Sequence, residues 1–494
     1  MMFSTAQMMA AMPILLLSAT IVVVMLAIAY RRNHWWNATF SVIGLNAVFF
    51  STVALYIGPL LMPNLIPQYL PQTLTPLLSL DFFGIGYSML LIATTLATAT
   101  LLHAYMEGYA GNKEEIYLLL CLAALGALVL ACANHFASLF IGLELLSVPL
   151  YAMVAYPHRS KRSLEGGIKY LVLSAVASAF LLFGIALIYS QTGTLSFVGV
   201  AAKTAELSAD NIYLLVGGAL LLVGIGFKLS VVPFHLWTPD VYEGAPAPVT
   251  AFLATASKTA VFAVLLRYFV QAGAYHHQVL LDALSALAIA SMLIGNVLAL
   301  MQKNIKRLMA YSSIAQFGYC LVALIAGGKF AVEAVGIFLV TYVITTMGAL
   351  GVVTLMSSPY RGQDADMISD YRGMFWKRPY LASILTAMML SLAGIPVTAG
   401  FIGKFYAVMA GVEAQRWWLL GALVLGSAIG LYYYLRVVIA LFLVEPGMRR
   451  SSAPLNWGAQ VGGIMVLILM LLMLGIGIYP QPILFLAQLG GFAH

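Results

Sequence analysis

Charge is what this sequence has least of. Asp, Glu, Lys and Arg make up only 8% of its 494 residues. A soluble domain carries about 25%, so the shortfall excludes a secreted or cytosolic globule. Cysteine is nearly absent as well. Cys121, Cys132 and Cys320 lie within apolar runs and no CxxC occurs, which argues against an iron–sulfur cluster or a structural zinc. There is no HExxH and no paired-histidine haem arrangement. The stretch "AGFIGKF" lacks the glycine spacing and the hydroxyl after lysine that a phosphate loop needs, and "GIGFK" is a bare GxG inside an apolar run. The chemistry expected of this chain therefore uses no cofactor and no metal.

Apolar length is what the chain has in abundance. Hydrophobic residues account for 62% of it, and runs of the roughly 20 residues needed to cross a bilayer recur from end to end. Hydropathy and helix breaks predict an all-α polytopic membrane protein of about 14 transmembrane helices. The first seven expected crossings are Met9–Tyr30, Trp36–Tyr56, Asp81–His103, Ile116–Ala133, His135–Tyr156, Leu164–Tyr189 and Ile212–Leu236. The other seven are Val249–Tyr268, Val279–Met301, Ile305–Ala326, Val332–Met356, Pro379–Val412, Trp417–Leu443 and Val461–Tyr479. The first run has no basic leader and no small-residue cleavage site, so it reads as a retained helix.

The basic residues fall on alternate connections. "RRNH", "NKEE", "HRSKR", "QKNIKR", "YRGQDADMISDYRGMFWKR" and "PGMRRSS" hold fifteen lysines and arginines, while the opposite side has only Lys203, Lys329 and Arg416. By the positive-inside rule the first set is cytoplasmic and both termini are periplasmic. The net charge of +7 thus reports topology. Scattered over short loops, it is no nucleic-acid surface.

Six cations remain inside or at the ends of apolar runs: Lys169, Lys228, Lys258, Arg267, Lys404 and Arg436. Arg267 and Arg436 lie close enough to helix ends to snorkel. Lys169, about one and a half turns in from "HRSKR", can snorkel too or can serve a buried path. Lys228, Lys258 and Lys404 are deeper. One carboxylate joins them: Glu144, ten residues from Asn134 and twelve from Tyr156, or about 15–18 Å from either end of its helix. A charge at such depth costs about 2.5–3.5 kcal/mol even on insertion scales. A static Glu144–Lys228 ion pair is the plainer reading, but three lysines then face one deep carboxylate. Burial disfavours an ammonium ion and a nearby carboxylate favours it, so moving the carboxylate can load or discharge the amine. That is a proton-relay design.

Helix breaks accompany two of the lysines. Pro233 follows Lys228 and should kink or open its helix. Gly394, Pro396 and Gly400 interrupt a run too long for one straight crossing, and Lys404 follows them. Broken helices at mid-membrane line hydrated sites. The two are the seventh and twelfth crossings, an odd separation that reverses their direction. Crossings four to eight and nine to thirteen then form two inverted five-helix repeats, each with a discontinuous helix. The corresponding division is 1–110, a three-helix segment; 111–272 and 273–446, the repeat units; and 447–494, the last helix and tail. His235, just past Pro233, either passes protons between Lys228 and Lys258 or hydrogen-bonds a carbonyl freed by the break.

At these residues the sequence resembles a known family. "LFIGLELLSVPLY", "GGIKYLVLSAVASAFLLFG", "GFKLSVVPFHLWTPDVYEGAPAPVTAFLATASK" and "NIKRLMAYSSIAQFGY" are similar to the antiporter-like, proton-pumping membrane subunits of respiratory complex I. "SSPYRGQDAD", "SLAGIPVTAGFIGKFY" and "GSAIGLYYYLRV" resemble the N-subunit branch in bacterial NADH–quinone oxidoreductase. Unlike in the family's L subunit, no long lateral helix is expected after the last span. The resemblance implies that Glu144 and Lys228 are the coupled pair of a first half-channel, that Lys258 connects the halves and that Lys404 ends the second. It implies proton movement from cytoplasm to periplasm across a bacterial inner membrane, driven by quinone reduction in other subunits, and neighbours in the membrane arm of the complex. NADH, FMN, iron–sulfur clusters and quinone would belong to those other subunits. The competing readings are a subunit of a cation/proton antiporter, which shares the fold and the lysines, and a scaffold needed only for assembly.

Overall fold

The computed structural model describes residues 4–62, 67–109, 111–207, 211–357, 364–443 and 457–490. Positions 358–363 of the "SSPYRGQDAD" motif and the basic residues of "PGMRRSS" lie outside them. Among the described residues thirteen helices are long and apolar enough to cross a membrane. The fourteenth expected crossing, the twelfth in order, is present as two halves of 15 residues each, Pro379–Ala393 and Ala399–Glu413. All the expected crossings are thus found, with ends shifted by a few residues.

Burial separates the helices into an inner and an outer set. The most apolar windows of the eighth (Ala247–Gln271), tenth (Ile305–Ala326) and eleventh (Phe330–Met356) crossings are 100%, 94% and 89% buried, against 22% for the first, Met12–Tyr30. Lys258 therefore sits on the most enclosed of the thirteen long apolar helices among the described residues. Around this axis one set of packings occurs twice. Crossing four packs on five, five on six, six on seven and four on eight; likewise nine packs on ten, ten on eleven, eleven on twelve and nine on thirteen. Small residues permit the close approaches on which such membrane interfaces depend. A Cβ on Gly184 of the sixth crossing would lie 2.6 Å from the Gly217 carbonyl of the seventh, so glycine there is what lets the two helices touch.

Both predicted breaks are present. The seventh crossing runs from Ile212 to Leu229, stops with Ser230 in the left-handed conformation (φ 62°), and resumes as the short helix Trp237–Gly244. The twelfth stops at Gly394 (φ 86°) and resumes at Ala399, so Gly400 is already helical. Each break leaves backbone groups that must find partners in an apolar medium. At the first, the Trp237 indole Nε1 donates to the Phe227 carbonyl at 3.1 Å, and the Val232 N–H donates to Ser291 Oγ at 2.9 Å. At the second, Gly400 N–H donates to Ser391 Oγ at 3.0 Å.

Two cations depart from the snorkelling expected of them. Arg267 is fully buried and forms a bidentate pair with Asp81 at 2.5 and 2.8 Å, with a third bond to the Ala131 carbonyl at 3.0 Å. A short hairpin, Gln72–Thr75 with Leu78–Leu80, delivers Asp81 to that spot, where it also caps the third crossing through Gly84 N–H. A fork of fixed donors matched by a carboxylate inside the protein needs no route to water. Arg436 instead donates to the Leu300 and Gln302 carbonyls at 2.8 and 2.6 Å, capping the ninth crossing.

Candidate functional site

The three deep lysines are buried, and none has a carboxylate as its hydrogen-bond partner. Lys228 Nζ donates to Ser147 Oγ on the fifth crossing and Ser174 Oγ on the sixth, both at 2.6 Å. Glu144 lies one turn from Ser147 and accepts from Ser178 Oγ at 2.6 Å, Ser178 being one turn from Ser174. No direct Glu144–Lys228 ion pair forms among the described residues. Serines of the fifth and sixth crossings bond the ammonium, and a serine one turn along the sixth bonds the carboxylate. Tyr151 adds a hydroxyl, donating to Ser174.

Lys258 follows a single π-helical turn, Leu253–Ser257, within the eighth crossing. Such turns are uncommon and are concentrated at functional sites. Here the turn leaves the Ala254 carbonyl open to the Tyr342 hydroxyl at 2.9 Å. That hydroxyl also reaches Ser313 Oγ at 2.9 Å, which accepts from Lys258 Nζ at 2.8 Å. Aromatic faces complete the surroundings, with the ammonium 5.6 Å from the Tyr242 ring centre and 5.3 Å from that of Phe317.

Lys404 reaches back across its own break. Its Nζ donates to the Leu392 and Ala393 carbonyls, each at 3.0 Å. These end the first half-helix, where the dipole favours a cation. Gly394 is required twice over: by its left-handed φ, and because a Cβ there would lie 3.0 Å from Lys404 Cδ. Gln316 donates to the same Leu392 carbonyl at 3.1 Å and to the Tyr434 hydroxyl at 3.4 Å. Tyr434 in turn bonds Ser312, the neighbour of the serine that holds Lys258. The tenth crossing thus carries Ser312, Ser313 and Gln316 between the two lysines.

His235 lies buried in the seventh-crossing break, against the Tyr311 ring at 6.5 Å. Neither ring nitrogen makes a hydrogen bond of good geometry, and the Pro233 backbone is the polar group beside it. Lys169 is elsewhere. It is partly exposed and paired with Glu165 at 2.6 Å and Asp240 at 2.7 Å. Asp240 belongs to the short helix after the break and also binds Arg307, which reaches Glu243. Beside this cluster is a cavity of about 730 Å³, lined among others by Arg162, Glu243, Lys306, Asp364 and Asp366. Burial pushes the Asp366 carboxyl above the usual carboxylate range, against the pull of Lys306 and Arg162. Among the described residues no group of three or more His, Cys, Asp or Glu side chains is placed to hold a metal ion.

The sequence reading missed the hydroxyl partners. Ser174 and Ser178 were visible as an i, i+4 pair in an apolar run, and Ser147 as a hydroxyl three residues from a deep carboxylate. The π-turn before Lys258 had no comparable signal.

Residues 133–430, which hold Glu144, Lys169, Lys228, His235, Lys258 and Lys404, match the family described as NADH:quinone oxidoreductase/Mrp antiporter, TM. Over 487 residues the chain is 56% identical to NADH-quinone oxidoreductase subunit N of Ectopseudomonas mendocina, covering 98% of this chain and 96% of that protein. The chain belongs to the N-subunit family of NADH-quinone oxidoreductase. Among solved structures, a chain of respiratory complex I from Thermus thermophilus with bound Aureothin superposes with a TM-score of 0.80 at 32% identity, over 97% of this chain and 100% of that one. The N-subunit fold extends further. A chain of the archaeal membrane-bound sulfane sulfur reductase gives 0.85 at 24% identity, covering 97% and 96% of the two chains. A chain of the Mrp complex from a Dietzia species gives 0.82 at 20%, covering 98% and 97%. At those identities the likeness is one of fold.

Proposed function

We propose that this chain is a proton-translocating subunit in the membrane arm of an NADH–quinone oxidoreductase. It moves protons from cytoplasm to periplasm through Glu144, Lys228, His235, Lys258 and Lys404. Quinone reduction in other subunits supplies the energy, and those subunits carry the redox cofactors. The chain lies in a bacterial inner membrane with both termini periplasmic, and its relay is divided between 111–272 and 273–446. Lys169 is assigned a positioning role, tethering the short helix Trp237–Gly244 through Asp240.

One observation carries this reading. Three buried amines are held by hydroxyls and backbone carbonyls, partners that accept from an ammonium without neutralising it. A static ion pair would place the Glu144 carboxylate in direct contact with Lys228. Serines fill that space instead, so the carboxylate can change its influence without a buried bond being torn apart. The sites must also be nearly matched. One pKa unit between neighbours is about 1.4 kcal/mol, while 100 mV across the whole path contributes about 2.3 kcal/mol per charge. An antiporter subunit shares the fold, but the 56% identity over nearly the full chain favours the oxidoreductase.

The test is Lys228→Ala in the assembled complex, with NADH-driven acidification measured in sealed vesicles. Loss of pumping with normal assembly is expected. Unchanged pumping would make the chain a scaffold, and sodium-for-proton exchange by the purified complex without NADH or quinone would make it an antiporter subunit.

A further inference from the structure

A second cavity has none of the deep lysines among its lining residues. An apolar cavity of about 420 Å³ runs between the third, eleventh and fourteenth crossings. Its outer end is closed by the short helix Gln481–Leu489, which is tied to the second crossing by the Tyr56 hydroxyl donating to the Leu486 carbonyl at 2.6 Å. The walls are nearly all hydrocarbon. Of the hydroxyls among its lining residues, those of Tyr56 and Thr94 donate to the Leu486 and Leu90 carbonyls, whereas that of Tyr87, which is 9% exposed, has no hydrogen-bond partner. That hydroxyl faces the opposite wall, lying 3.8 Å from where a Cβ on Gly336 would stand.

Depth identifies what fits. The third crossing is 26 residues long, about 39 Å at 1.5 Å per residue, so it overruns a roughly 30 Å hydrocarbon core by about 4–5 Å at each end. Tyr87 is five residues inside the helix start at Phe82, which puts it about 7–8 Å in, close to the edge of the core. Ester carbonyls of phospholipids lie at that level. From Tyr87 the groove descends past Ala93 to Ala97, about 15 Å deeper and near the midplane. The cavity therefore spans one leaflet, with one unpartnered donor at its ester end and largely apolar walls below. At about 30 Å³ per small group it has room for a chain on the order of a dozen methylenes. Leu472, one of its lining residues, is 49% exposed, so the groove opens to the outside of the chain.

We propose that this groove is a phospholipid site. It takes one acyl chain from the leaflet that holds the 67–81 hairpin, and the Tyr87 hydroxyl donates to the ester carbonyl of that chain. The site is separate from the proton relay and does not rest on it. A bound chain would fill the space between the N-terminal three-helix segment and the eleventh and fourteenth crossings, joining the first helices to the rest of the molecule.

The test uses the membrane complex that contains this chain, reconstituted with phosphatidylethanolamine bearing a diazirine at mid-chain. After illumination, label is expected on peptides covering 87–97 and 336–347. Ala93→Phe should fill the groove and lower that labelling several-fold. Gly336→Leu, from the other wall, should do the same and replaces it if the first variant fails to assemble. Ester-linked probe should label the wild type more than an ether-linked analogue, and Tyr87→Phe should abolish that difference. Equal labelling in the wild type and both filled variants would overturn the proposal. So would a structure of the complex with a neighbouring subunit's helix seated in the groove.

Discussion

The two helix breaks solve the same problem in opposite ways. In the seventh crossing the lysine precedes the break, and the Phe227 carbonyl at the helix end accepts from the Ser230 N–H and the Trp237 indole. Lys228 is left to two serine hydroxyls, with a carboxylate on another helix acting through space. In the twelfth crossing the lysine follows the break and itself caps the freed Leu392 and Ala393 carbonyls. The electrostatic partner of Lys228 is thus a side chain that can move or take up a proton. That of Lys404 is a helix end, fixed in place and never protonated. Symmetry of fold does not carry symmetry of control. On the proposed relay, the first half is switched, and the second holds a proton until its neighbour or the exit path takes it.

Substitutions that separate the two halves sharpen this contrast. The largest effect is expected from Lys228→Ala or Lys404→Ala, each of which should bring vesicle acidification to background while NADH oxidation by the peripheral centres can still be assayed. Glu144→Gln should reduce pumping several-fold without affecting assembly, because it removes the switchable charge and keeps the Ser178 contact. An equal loss of assembly and activity would show that Glu144 only supports the structure. Gly394→Ala should destabilise the twelfth-crossing break by about 1–2 kcal/mol from its left-handed φ alone, with added strain against Lys404, read as a lower melting temperature of the complex. Trp237→Phe should cost about 0.5–1.5 kcal/mol by removing one of the two hydrogen bonds to the Phe227 carbonyl, the Ser230 N–H remaining, and any pumping defect should be smaller than that of Glu144→Gln. Lys169→Ala should have the smallest effect. Its partly exposed pairs contribute about 1 kcal/mol or less, and pumping at saturating NADH should stay near the wild-type rate.

Much of this was legible in the sequence because a bilayer punishes buried charge and broken helices so heavily. Glu144, Lys228, Lys258 and Lys404 stand out against apolar runs, and Pro233 and Gly394 mark the breaks without any structural knowledge. Serines and tyrosines do not stand out in the same way. Ser147 bonds its own helix through the Leu143 carbonyl, and hydroxyls such as those of Ser174, Ser313 and Tyr342 are ordinary in membrane helices, so their presence alone says little until a lysine is seen beside them. Arg267 was misread for a related reason. Its partner Asp81 is 186 positions away, and nothing local shows that a hairpin will fold back to meet it. The π-turn before Lys258 depends on packing against the eleventh crossing, which a single run of small residues cannot reveal.

Lys258 stands between the two breaks, on the most buried crossing, with one serine and aromatic faces for company. It is where a moving proton and a fixed charge can be told apart. The decisive measurement is acidification of sealed vesicles by the complex carrying Lys258→Arg, alongside Lys258→Ala. Arginine keeps the positive charge but hardly releases its proton. A relay predicts that both variants lose coupled pumping. Full pumping by the arginine variant would contradict the account and make Lys258 a fixed charge only.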